Sequence, residues 1–337
     1  MARTFLIGLA VALVAAWLAP SLGAKGGLLH ADVVSTVGIM LIFFLQGVQL
    51  PAEQIARALL AWKFHLFVQV STFVIFPLLC LGMLWGAGGA LPESLRLGFL
   101  YLAILPTTIS SAVILVTAAG GDAPAAIFST AISNVLGVFI VPAGSVWLLS
   151  VQRAADVPAG LLLWKVAQLL LFPLIAGQLL RPWLKEAAAR HRKQIGRLSN
   201  FIILFLVYAA FCDSIMGGMW SRHGWSVALA AGAGSLFLLL TSTWLVWQGA
   251  RLAGFDFGKR VTALFCASQK TLAAGVPLAG AIFGTLSVQH PGSGIETGLI
   301  LLPLMFYHPL QLTLGGLMLP WLQSQTQAAQ RAGVGEG

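Results

Sequence analysis

Charge is what this sequence has least of: 9% of its 337 residues are Asp, Glu, Lys or Arg, against about a quarter in a soluble globular chain. Water therefore is not its main solvent. Acids are rarer still, ten in all and scattered, which argues against divalent-metal chemistry and aspartate-rich transfer sites. The three cysteines, Cys80, Cys212 and Cys266, are odd in number and far apart inside apolar segments, so neither a disulfide framework nor a metal knuckle is indicated. No HExxH helix, Walker loop or GxSxG elbow occurs, and no catalytic residues are assigned. No segment is low in complexity or polar over enough length to form a soluble domain.

What the chain has in abundance is apolar residues, 58% of the total. They fall in ten stretches, near 4–22, 34–50, 64–86, 97–119, 125–150, 160–180, 199–219, 226–249, 261–284 and 297–322. Each is long enough to cross about 30 Å of hydrocarbon as a helix. The expected fold class is an all-α integral membrane protein with ten transmembrane helices.

A formal charge of +9 would suggest nucleic acid in a soluble protein, but the positions of the basic residues point to the bilayer as the partner and exclude nucleic acid. Arg3, Arg57, Lys63, Arg181, Lys185, Arg190, Arg192, Lys193, Arg197, Arg251, Lys259, Arg260 and Arg331 fall on one side of the membrane in this reading. Lys25, Arg96, Arg153 and Arg222 fall on the other. That asymmetry places both termini in the cytoplasm of a multi-pass inner-membrane protein. Residues 1 to about 25 resemble a signal peptide, yet cleavage would spoil the alternation, so they are read as the first helix. Lys165, beside Trp164, has the character of an interfacial anchor. Asp213 and Glu296, near helix ends, are expected to face water.

The most polar segment, Arg181 to Asn200, lies at the middle, with five stretches on either side. An odd number per half makes the second half enter the membrane upside down relative to the first, the arithmetic of an inverted repeat. The fourth stretch carries Leu105-Pro106-Thr107-Thr108-Ile109-Ser110-Ser111-Ala112. The ninth carries Cys266-Ala267-Ser268-Gln269-Lys270-Thr271, with Pro277 beyond. Proline removes a backbone donor and small hydroxyls offer substitutes, so both helices are expected to break. Paired interruptions in two halves point to a transport site.

These residues, with Phe44-Leu45-Gln46-Gly47-Val48-Gln49-Leu50, the block from Pro106 to Pro142 and Phe306-Tyr307-His308-Pro309, resemble the bile acid:sodium symporter family. The likeness is greatest to its branch of solute carrier family 10 member 7 and YfeH-like bacterial proteins. It covers nearly the whole chain. The resemblance implies two inverted five-helix repeats, with a panel domain (1–62 and 160–222), a core domain (63–159 and 223–323) and a cytoplasmic tail (324–337). Broken helices 4 and 9 would cross inside the core.

In the family's sodium-coupled members, ions are held behind that crossing. Carried over by motif, Ser111 matches a helix 4 hydroxyl, but Ala112 stands where the neighbouring amide belongs. Thr130 matches a helix 5 hydroxyl, with Ser129, Ser133 and Asn134 beside it. Thr72 falls at a helix 3 glutamine position, and Gln69 lies a turn earlier. Phe265 or Cys266 replaces the sodium-binding acid. The resemblance therefore leaves Ser111 and Thr130 as candidate sodium ligands, and either sodium or a proton as the coupling ion, with no other cofactor.

Lys270 is the chief departure. It lies ten positions after Arg260, about 15 Å into a straight helix, too deep for its stem to reach the surface. One expectation is that its ammonium replaces sodium, donating to Ser110, Ser111, Thr130 and opened backbone carbonyls. Another is that it attracts an anionic substrate beside two half-helix N-termini. The expected substrate or ion region is Thr107, Thr108, Ser110, Ser111, Thr130, Ser133, Asn134, Ser268, Gln269, Lys270 and Thr271, with Thr72, Gln69 and His308 at its margin. The resulting expectation is a secondary transporter of a small organic anion. An intramembrane enzyme and a channel or non-transporting regulator of the same fold are the alternatives.

Overall fold

The computed structural model describes residues 2–24, 26–49, 62–151, 164, 167–284 and 296–334, and among these there is helix and no strand. Lys25, Arg57, Arg153 and Lys165 lie outside the described residues. Twelve helices carry the architecture. They are α1 (Ala2–Leu18), α2 (Ala31–Gln49), α3 (Trp62–Gly86), α4 (Glu93–Ile104), α5 (Ser110–Ala118), α6 (Ala123–Val151), α7 (Phe172–Arg190), α8 (Arg192–Met216), α9 (Ser226–Leu252), α10 (Phe257–Ser268), α11 (Leu272–Ala279) and α12 (Thr297–Val334).

Six of these, α2, α3, α6, α8, α9 and α12, contain segments long and apolar enough to span a bilayer. The fourth stretch expected from sequence is split into α4 and α5, and the ninth into α10 and α11. The first and sixth correspond to α1 and α7, and α12 continues through Val334 into the segment expected to be a tail.

The outward faces are apolar, as a lipid-facing surface requires: Leu18, Trp85, Leu179, Leu229, Leu252 and Leu317 are all exposed. The interior holds two apolar clusters. One joins α4, α8, α11 and α12 through Leu95, Phe99, Val207, Val276, Ile300 and Leu304. The other gathers α3, α5, α9 and α10 around Phe64, Val116, Val246, Val261 and Leu264. Between them lie buried polar residues, the reverse of a water-soluble arrangement.

Two local devices shape the fold. A π turn over Ser71–Ile75 precedes Pro77, and another over Ala167–Leu171 precedes Pro173, so each proline sits where the wider turn already leaves backbone groups unmatched. Close approach of α2 and α7 depends on reciprocal glycines: a Cβ on Gly47 would lie 2.1 Å from Leu174 O, and one on Gly177 would lie 2.1 Å from Phe44 O.

At the water-facing start of α10, Asp256 caps the helix by accepting from the Lys259 N–H at 2.9 Å. Partial burial pushes its carboxyl upward in pKa, but the N–H and ammonium of Lys259 outweigh this and hold it below the usual value. The cap is therefore intact at neutral pH and is lost as pH falls through that lowered value. Asp256→Ala is expected to cost about 1 kcal/mol at neutral pH. Unfolding measured across acid pH should show the difference from wild type closing as the carboxyl protonates.

Candidate functional site

Proline dictates the first break. Pro106 has no N–H to return to Leu102 O, and the residue before it is driven out of helical geometry: Leu105 adopts φ −68°, ψ 144°. Residues 105–108 are non-helical before α5 begins. The second break, Gln269 to Thr271, is also extended, and the Thr271 N–H donates to Pro106 O at 3.0 Å. The two broken segments are thus joined backbone to backbone.

Several backbone groups freed at this junction find side-chain partners, while the buried Thr107 Oγ1 has none. Asn134 donates its amide to Thr107 O at 3.0 Å and to Thr130 O at 2.8 Å, while Ser133 Oγ accepts from the Thr107 N–H at 3.2 Å. On the other break, Gln311 of α12 accepts from the Lys270 N–H at 2.8 Å and donates to Lys270 O at 3.0 Å. Tyr307 donates to Ser268 O at 2.6 Å, and Tyr101 to Gly275 O at 2.5 Å. Ser111 donates to Gln269 Oε1 at 3.2 Å and to Thr108 Oγ1 at 3.1 Å, tying the two breaks through side chains as well.

Lys270 is wholly buried. Its Nζ donates to Ala103 O at 2.8 Å, Leu105 O at 2.9 Å and Thr72 O at 3.0 Å. Carbonyls only accept, so three such bonds call for three N–H donors, the complement of an ammonium. The face of Phe76 lies 4.3 Å away. Burying an ammonium costs several kcal/mol unless such partners compensate.

The three carbonyls are free for stated reasons. Thr107 N–H, the helical partner Ala103 O would have, goes to Ser133. Leu105 is extended. Phe76 N–H bonds Ser71 O in the π turn, and the residue that would serve Thr72 O in that register is Pro77, which has no N–H.

Of the partners expected for Lys270, the opened backbone carbonyls are present and the hydroxyls are not. The hydroxyls of Ser110, Ser111 and Thr130 do not receive its protons. The Thr130 hydroxyl instead bonds Ala126 O at 2.8 Å and Ile127 O at 3.0 Å, within its own helix. A serine or threonine in an apolar helix readily satisfies itself this way. Ser268 does likewise with Leu264 O. Glu296 also departs from expectation: it is largely buried and paired with Arg222, with the His223 ring at 3.8 Å.

Thr72 contributes its carbonyl, while its hydroxyl bonds Val68 O at 2.8 Å. Gln69 donates to Ser129 O at 3.0 Å, beside the 2.8 Å contact of His65 Nδ1 with Ser129 Oγ. His308 Nδ1 stands 2.9 Å from Gln311 Nε2. Gln311 was not singled out by the sequence pattern. The available signal was an amide three residues after His308 in an otherwise apolar helix.

Two crevices flank the junction. The first, about 260 Å³, is lined by Thr108, Ser110, Asn134 and Thr271 on one wall and by Gln46 and Asn200 on the other. The N-termini of α5 and α11 both border it, and among the described residues no charged side chain lines it. Ile195, Gly196, Ser199 and Asn200 of its lining lie in the first turns of α8, beside the exposed Arg190, Arg192, Lys193 and Arg197 of the α7–α8 hairpin. The second, about 140 Å³, opens toward the other helix ends and includes Asp32, Asp213 and Thr297. Only about one turn of α2, α8 and α11 lies between them. Ile42, Ile203 and Ala274 line the first, and Ile39, Leu206 and Val276 the second.

Two crevices held apart by about one helical turn beside broken helices are the arrangement expected of a transporter. The chain belongs to the SBF-like CPA transporter family, whose model matches residues 3–324. It is 33% identical over 297 residues to YfeH of Escherichia coli (strain K12), covering 88% of this chain and 86% of that protein. It is 32% identical to sodium/bile acid cotransporter 7 of Danio rerio, covering 97% and 95%, and 32% identical to that of Rattus norvegicus, covering 97% and 94%. The chain is thus a multi-pass membrane transporter and not an enzyme.

Proposed function

We propose that the protein is a secondary carrier that moves a small organic anion across the bilayer by alternating access, with the solute bound in the crevice between Gln46, Asn200 and the α5–α11 junction. The observation that carries this reading is the pair of crevices separated by about one helical turn. A barrier that thin is exchanged from one side to the other by a modest rigid-body shift of the two walls.

The anionic character is inferred from two helix N-termini bordering a crevice whose described lining has hydroxyls and amides and no acid. A cavity of about 260 Å³ lies at the lower edge of ligand-pocket sizes, which favours a small carboxylate over a steroid body. In this reading the ten stretches form two inverted five-helix halves, panel and core as the resemblance implies, with both termini on the basic, cytoplasmic side of the inner membrane. Thr108, Ser110 and Thr271 contact the solute, while Asn134 spends both amide protons on the backbone and lines the wall. Thr107, Ser111, Ser133, Ser268, Gln269 and Lys270 hold the junction.

Flux into proteoliposomes, with a panel of small carboxylates and steroid conjugates under imposed sodium and proton gradients, tests the reading. Saturable uptake that accumulates or exchanges solute is expected. Purely conductive, unsaturable flux would replace the carrier by a channel.

The basic hairpin supplies a separate prediction. Replacing Arg190, Arg192, Lys193 and Arg197 with glutamine is expected to raise the apparent KM for an anion by about tenfold at low ionic strength, because a positive mouth concentrates anions. The difference should shrink as salt screens the charges. An unchanged KM at low salt would remove the hairpin from solute capture and leave it a determinant of orientation.

A further inference from the structure

The Lys270 ammonium meets a surrounding that resembles an ion-coordination shell more than a lysine pocket. Its three hydrogen-bond partners are backbone carbonyls from two distant segments: the π turn of α3, and the last turn of α4 with the extended residue just beyond it. Among the described residues no carboxylate pairs with it. The carbonyls are released by sequence features independent of the lysine, namely Pro77, Pro106 and the diversion of Thr107 N–H to Ser133. Removing the side chain would therefore leave the oxygens converged with nothing to neutralise them.

We propose that Lys270 is a covalently attached monovalent cation filling a carbonyl cage that binds α3, α4 and the α10–α11 break together, and that the cage, once the side chain is removed, accepts a free cation of ammonium size. The contacts of 2.8 to 3.0 Å suit ammonium and the similarly sized potassium better than the smaller sodium. The phenyl face of Phe76 adds a preference for a cation over a water. In the wild type the cage is permanently filled, so this part of the molecule needs no dissolved sodium for its integrity. The inference concerns stability and does not rest on the transport reading; a failure of either leaves the other standing.

The experiment is thermal unfolding of the full-length protein in detergent or nanodiscs, at constant ionic strength, in N-methylglucamine, sodium, potassium, ammonium or propylammonium chloride. Wild type is expected to unfold at the same temperature in all five. Lys270→Ala should unfold about 10 °C lower in N-methylglucamine. At least half of that loss should return with propylammonium, which replaces the missing atoms, less with potassium or ammonium, and least with sodium. Lys270→Met fills the volume without the charge, and should be destabilised without responding to any of these ions.

An Ala variant indifferent to cations, or a wild type that needs sodium for its stability, overturns the proposal. Should Lys270→Ala fail to fold, Lys270→Met decides: stability equal to wild type overturns the proposal, and a loss unresponsive to all the ions supports it.

Discussion

Gly177→Ala is expected to destabilise the protein by about 3 kcal/mol or more, a large effect for one methyl group. The new Cβ would lie 2.1 Å from Phe44 O and 3.0 Å from Val48 N, both backbone atoms of α2 that cannot rotate away. Relief requires α2 and α7 to separate, and that movement strips contact from the reciprocal site, where Gly47 faces Leu174 O at the same distance. In a bilayer, helix association depends on such close packing because lipid supplies no hydrophobic force between helices. Gly82→Ala in α3 is the control. Nothing lies within 4 Å of its added Cβ, and it should be neutral or slightly stabilising. Thermal unfolding of both variants in nanodiscs checks the contrast. Equal behaviour would mean that α2 and α7 do not pack closely in the membrane. Leu45, Gln46 and Leu174 line the larger crevice, so any folded Gly177→Ala protein should also show altered solute affinity.

The features legible in the sequence are those governed by local rules. Apolar stretches of spanning length, and prolines beside small hydroxyls, announce long helices and breaks without knowledge of neighbours, and the breaks at 105–108 and 269–271 fall within the segments so marked. Lys270 stood out because a basic residue so far into an apolar span needs an explanation. Opened backbone carbonyls are expected among its partners and are found, but which carbonyls they are, and that no hydroxyl joins them, is not legible. A hydroxyl looks like the natural acceptor in sequence, but Thr130 and Ser268 satisfy themselves on the preceding turn of their own helices. The backbone carbonyls alone take the ammonium. Thr72 shows the same limit: the sequence marks its side chain, and it serves through its carbonyl. Glycine contacts such as Gly47 with Gly177 are likewise a property of two helices meeting, and neither residue announces its partner.

Replacing Gln311 by leucine should cost on the order of 3 kcal/mol, though the volume is nearly kept and no charge is lost. Gln311 is almost fully buried in α12, and its amide serves both backbone groups of Lys270, which sits in an extended break where no helix provides for them. Leucine leaves a buried N–H and a buried C=O unpartnered, each worth about 1 to 3 kcal/mol. The His308 ring also loses its 2.9 Å contact. Since the amide donates to the ring, His308 Nδ1 is the bare nitrogen, and its proton resides on Nε2. Gln311→Glu separates these contributions. One carboxylate oxygen still accepts from the Lys270 N–H, but the other faces Lys270 O and His308 Nδ1, where only a donor fits. Glu should therefore recover part of the stability at low pH, where a protonated carboxyl can donate, and little of it at neutral pH. Unfolding of both variants over that range reads the difference. If leucine proves as stable as glutamine, Lys270 must be held by its side chain alone, and the cage of Thr72, Ala103 and Leu105 would be sufficient to fix the break.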